Sequence, residues 1–166
     1  MRAAAIAVLV LASSALSAEA QWLYQKEESA FGDNHFHGAI TGKGPYGFGF
    51  RCFGSDPEII FMTPETSPGE EKLSLINSIT PPEILIRTDD LEVHRLEGQA
   101  ADTDGTVVFL APAPAEVMAE VRDARRRVAV AIDFMGETIH ETKFNVSGST
   151  RAMAQLMRGC GVEVQD

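Results

Sequence analysis

The chain has two cysteines, Cys52 and Cys160, and their positions restrict its fold more than any other feature. Cys52 ends the stretch Gly47-Phe48-Gly49-Phe50-Arg51-Cys52, which reads as a short apolar strand. Cys160 closes a helical pattern near the C-terminus. In an exported chain, two cysteines are most simply one disulfide. That bond would tie an early strand to the last helix. It would close a loop of about a hundred residues, for which chain entropy gives on the order of 4–5 kcal/mol. Two separate thiols are the alternative, and neither cysteine belongs to a C-x-x-C pair.

Export is read from the first twenty residues. Arg2 supplies a positive start, Ala3 to Ala12 is an unbroken apolar run, and Ala18-Glu19-Ala20 is a small-residue cleavage pattern. The expectation is a signal peptide over 1–20, followed by a single exported globular domain over 21–166, periplasmic or secreted. The apolar run is shorter than the roughly 20 residues a spanning helix needs, so no stable membrane insertion is expected after cleavage. The leader carries one base, Arg2, and one acid, Glu19, so the rest of the chain keeps the full net charge of −10. That charge argues against nucleic-acid partners and against anionic membrane surfaces.

The remaining pattern is mostly strand. Tyr46, Phe48, Phe50 and Cys52 share one face of a strand, because side chains alternate with a period of two. Gly47 and Gly49 lie on the other face and leave room for a close neighbour. Further strands are expected at Trp22–Gln25, His35–Thr41, Glu58–Thr63, Ile84–Ile86, Leu91–Leu96, Val107–Leu110, Val128–Phe134 and Thr138–Val146. Asp104-Gly105 and Met135-Gly136 mark hairpin turns. Pro64 to Lys72 reads as an acidic, solvated loop. One short helix follows Pro114, with Val117, Met118, Val121 and Ala124 on one side. A second begins at Ser149 as N-cap and lines up Ala152, Met153, Leu156, Met157 and Cys160. The fold class is therefore mainly β (α+β): an antiparallel sandwich-like or bent sheet with two short helices, the C-terminal one linked to an early strand.

Candidate chemistry is sparse. On a strand, Asp33, His35 and His37 would point the same way, which is how two imidazoles and a carboxylate could hold a metal. The plain reading is a polar edge with exposed histidines, since this spacing is not a zinc signature. Asp102-Thr103-Asp104-Gly105 opens like a calcium loop, but Val107 to Leu110 replaces the later acid, and a hairpin turn accounts for it. No serine stands in a G-x-S-x-G elbow, and Gly42-Lys43-Gly44 lacks the rest of a phosphate loop. Arg125-Arg126-Arg127 suits the C-terminal end of a helix. No cofactor is implied.

A signal peptide comes first, then a strand ending in Phe50-Arg51-Cys52, then hairpins. The last helix is introduced by Ser147-Gly148-Ser149 and closed by Cys160. This order resembles the VasI/TagO-like type VI secretion-associated proteins and related small exported proteobacterial domains. The resemblance implies a periplasmic accessory or binding domain without catalysis, together with a Cys52–Cys160 bond. The expected function is a non-enzymatic domain that binds another protein or an envelope component. The alternatives are a metal-binding protein using His35 and His37, and an inhibitor of an envelope hydrolase presenting Pro64–Lys72.

Overall fold

The computed structural model describes residues 21–30 and 35–163; the leader at 1–20 and Asp33 lie outside the described residues. The elements run β1 (Leu23–Glu27), β2 (Phe36–Lys43), β3 (Tyr46–Phe53), β4 (Asp56–Thr66), α1 (Glu70–Ile79), β5 (Glu83–Thr88), β6 (His94–Glu97), β7 (Gln99–Thr103), β8 (Thr106–Pro112), α2 (Ala115–Asp123), β9 (Val128–Phe134), β10 (Glu137–Phe144) and α3 (Ser149–Gly159). The strands form a six-stranded sheet in the order β1-β2-β3-β4-β8-β7 and a four-stranded sheet in the order β10-β9-β5-β6. Every pairing is antiparallel. The fold is β-rich and sandwich-like, as the alternation predicts.

Register explains the core. Across the larger sheet, Phe48 opposes Phe61, which opposes Phe109; one row along, Phe50 opposes Ile59, which opposes Ala111. The smaller sheet contributes Ile84 opposite Ile132 and Ile86 opposite Val130. These rows join Val117, Met118 and Val121 of α2 and Met153, Leu156 and Met157 of α3 in one buried cluster. Trp22 and Phe144 complete it, with Phe48 edge-on to Trp22 and stacked on Phe144. Fully burying an aromatic or branched side chain stabilises by about 1.5–3 kcal/mol, so this cluster is the main source of cohesion.

The Cys52–Cys160 disulfide is formed, joining β3 to the residue that ends α3. Such a bond fits an oxidising compartment. The other end of α3 is held as well. Trp22 donates its backbone N–H to the carbonyl of Ser147 and its indole N–H to that of Asn145. No helix among the described residues is long and apolar enough to cross a membrane.

The structure departs from the sequence reading at Pro64–Lys72 and at the start of α3. Pro64–Lys72 is not an open loop: β4 runs to Thr66 and α1 starts at Glu70, so only 67–69 connect them. Among the described residues this makes three helices, one more than the sequence reading has. The helix forms because Leu73 and Ile76, three residues apart, share the face turned to the core. Asn77 then binds both the N–H and the C=O of Ala100 at 2.8 Å, closing the outer edge of β7. Finally, the N-cap of α3 is Gly148, at φ 82°, with Ser149 already helical. The backbone of Trp22 decides this, since a Cβ at Gly148 would stand 3.0 Å from its carbonyl oxygen.

Candidate functional site: a groove where the sheets exchange the chain

Strand β3 has two unlike faces. Its inward residues fill the core, and its outward residues are Gly47, Gly49, Arg51 and Phe53. The glycines are roofed by neighbours: a Cβ at Gly47 would meet the methyl end of Met62, and one at Gly49 would meet the Ala39 carbonyl and Ile40. Phe53, at the end of the strand, is 57% exposed. It borders a groove of about 640 Å³. The start of β4 (Asp56, Pro57, Glu58) and the end of β8 (Leu110, Pro112) form two walls. The third is Glu97-Gly98-Gln99, where the chain passes from β6 of the small sheet to β7 of the large one. Glycine is required at that crossing, because a Cβ on Gly98 would lie 2.7 Å from the Leu110 carbonyl oxygen.

The groove lining mixes apolar side chains (Phe53, Leu110 and two prolines) with three acids, Asp56, Glu58 and Glu97. Arg51 donates from Nε to Glu58 at 2.7 Å, and its guanidinium carbon stands 6.0 Å from the centre of the Phe53 ring. Glu58 is thereby neutralised. Glu97 is placed directly across the ladder from Glu83. Arg95 answers Glu83 and Asp133, each at 2.9 Å, and leaves Glu97 unmatched.

The metal candidates are differently engaged. His37 is buried (7% exposed), with its Nδ1 2.7 Å from the Tyr24 hydroxyl. Its ring lies against Gly159, where a Cβ would come within 2.4 Å of Nδ1. Burial holds its pKa below the ordinary histidine value, with Lys26 and His35 acting in the same direction. His35 accepts the Ser29 N–H at 3.2 Å through its own Nδ1. No group of three or more His, Cys, Asp or Glu side chains among the described residues is placed to hold a metal ion. The other histidines sit elsewhere: His94 pairs with Glu120 of α2 and His140 with Glu65 of β4.

The Tyr46–His140–Glu65 grouping and the partners of the triple arginine escaped the sequence reading. His140 has φ 56° at an irregularity in β10 and lies 3.3 Å from the Tyr46 hydroxyl through Nδ1 and 3.2 Å from Glu65 through Nε2. This Tyr–His–Glu chain ties the small sheet to the large one. Its only sequence signal was a polar residue in an alternating strand. Around the triple arginine, Asp89 accepts the backbone N–H groups of Arg125, Arg126 and Arg127, while Asp90 pairs with the Arg126 and Arg127 side chains. Those backbone bonds, Arg125 foremost, hold the Asp89 carboxyl below its usual range. Asp102 accepts the Gly105 N–H at 3.0 Å, so the calcium-like stretch is a hairpin turn.

No protein-family model, curated protein or solved structure matches the chain.

Proposed function

We propose that the chain is an exported accessory domain, periplasmic or secreted, that binds another protein or an envelope component through the groove at Phe53 and carries out no catalysis. A place among the VasI/TagO-like accessory domains belongs to the same proposal. The observation that carries it is the contrast on β3: Phe50 is fully buried, whereas Phe53, three residues on, stands 57% exposed beside a groove lined in part by Leu110 and two prolines. Exposed aromatic anchors next to concave apolar surface are the usual centres of recognition. The histidines and arginines weighed as chemistry are tied into junctions between elements, which supports a structural role for them.

A photo-crosslinking phenylalanine analogue placed at Phe53, compared with the same analogue at exposed Glu137, tests the reading in the native host. The expected result is one discrete adduct from the first position. Purified wild-type domain should compete it away, and the Phe53→Ala variant should not. Identical adduct patterns from the two positions would overturn the docking surface. A robust hydrolytic turnover lost on changing one residue would overturn the non-enzymatic reading. Stoichiometric transition metal in untagged protein would move the case to His35 and His37.

A further inference from the structure

We infer that the groove beside Phe53 takes a cationic peptide segment, an arginine or lysine flanked by an apolar residue; this rests on the docking reading above and names the chemistry of its partner. Three observations converge on it. First, the aromatic ring already accommodates a guanidinium: Arg51 stands over Phe53 at 6.0 Å. A cation over an aromatic face is attracted by the ring quadrupole, and Phe53 has more than half its surface open to receive a second one.

Second, the rim carries uncompensated carboxylates. Glu58 is matched by Arg51, but neither the Asp56 nor the Glu97 carboxylate has a hydrogen bond or ion pair with a described residue. Glu97 also faces Glu83 across the ladder, a like-charge pairing in which Arg95 answers Glu83 and not Glu97. Arg95, beside that pair, is already bound to Glu83 and Asp133. The net charge of −10 further favours approach of a cation over that of an anionic lipid or nucleic acid.

Third, the walls recognise side chains rather than backbone. Pro57 and Pro112 carry no N–H, and the Pro57 carbonyl already accepts the Ala113 N–H at 3.0 Å. Both walls belong to β4 and β8, interior strands of the six-stranded sheet, so strand addition is disfavoured there. A volume of about 640 Å³ over Leu110 and the two prolines suits a few side chains of an extended segment.

The test uses the whole chain and three blocked, fluorescent hexapeptides alternating Arg with Leu, Arg with Ser, and Glu with Leu, read by anisotropy at several salt concentrations. The Arg/Leu peptide should bind best, with affinity falling as salt rises. The double variant Asp56→Asn/Glu97→Gln should weaken it by about tenfold and flatten its salt dependence. Phe53→Ala should weaken it by about fivefold or more. Glu116→Gln/Glu137→Gln, which removes the same charge outside the groove, should change it by less than about twofold. All five positions are exposed, and thermal melts verify that each variant is folded. Equal loss in the two double variants would show diffuse attraction and overturn the inference. So would equal binding of the Arg/Ser or the Glu/Leu peptide. If crosslinking from Phe53 still yields a specific adduct while the Arg/Leu peptide fails, the cationic partner is wrong and the docking surface stands. If both fail, both are wrong.

Discussion

The inner and outer faces of β3 are made by the same eight residues, yet they obey different constraints. Inward, Phe48, Phe50 and Cys52 are buried to within about a hundredth of their surface, and Cys52 is bonded to Cys160. Outward, two glycines, an arginine and a phenylalanine make a surface that is thin, partly charged and open at one end. The inner face is over-determined: packing, aromatic contacts and a covalent bond all specify it. The outer face is determined only where neighbours close over the glycines. Beyond the glycines, at Phe53, the strand can therefore change its outward residue with little loss of stability, and that freedom is where recognition can be placed.

Four measurements would sharpen or break this contrast. The largest effect belongs to the covalent link on the inner face. Cys52→Ser/Cys160→Ser should lose on the order of 4–5 kcal/mol in urea unfolding, a large share of a typical domain's stability. A loss below about 1 kcal/mol would mean that α3 is held mainly by Trp22 and its core face. Next comes an aromatic pair. Phe50→Ala should cost about 3–5 kcal/mol through the cavity it leaves. Phe53→Ala should stay within about 0.5 kcal/mol of wild type, and equal costs would erase the distinction between the faces.

The third measurement compares the two glycines. A Cβ at Gly49 would stand 2.4 Å from the Ala39 carbonyl oxygen, a backbone atom that cannot swing aside. Gly49→Ala should therefore cost about 1–3 kcal/mol. At Gly47 the obstacle is the methyl end of Met62, a flexible side chain, so Gly47→Ala should stay within about 0.5 kcal/mol of wild type.

The smallest effect is expected from pH. The folded state holds the pKa of His37 below 6.5, chiefly by burial and then through Lys26 and His35. Between the folded and unfolded pKa values the unfolded chain binds more protons, so stability rises with pH there. The contribution is complete above about 6.5 and is lost as pH falls toward the folded pKa. Chemical unfolding of wild type between pH 7 and 5 should show that decline, and His37→Gln should flatten it. Parallel slopes would place the titration elsewhere.

Much of this was legible in the residue order. The alternation of Tyr46 to Phe53, the turn at Asp104-Gly105 and the apolar side of 117–124 each announce an element through neighbours a few positions apart. The two glycines of β3 even announced a close approach. Helix α1 was hidden because prolines and acids precede it and only Leu73 and Ile76 mark its buried side. The metal expectation rested on His35 and His37 sharing a direction. The pairing of β1 with β2 instead turned His37 toward Tyr24, while His35 bonded to Ser29 before β2 begins.

By itself, then, the sequence determined the β-rich class, most strand positions, the two faces of β3 and the partner of its cysteine. Each is written in a local period or in a count of two. Only the tertiary structure decided that Phe53, Asp56, Glu97 and Leu110 would enclose one groove, and that Glu97 would face Glu83. It alone brought Tyr46, His140 and Glu65 together. No short-range pattern couples residues tens of positions apart. Their meeting depends on how the two sheets and the helices close over a single core.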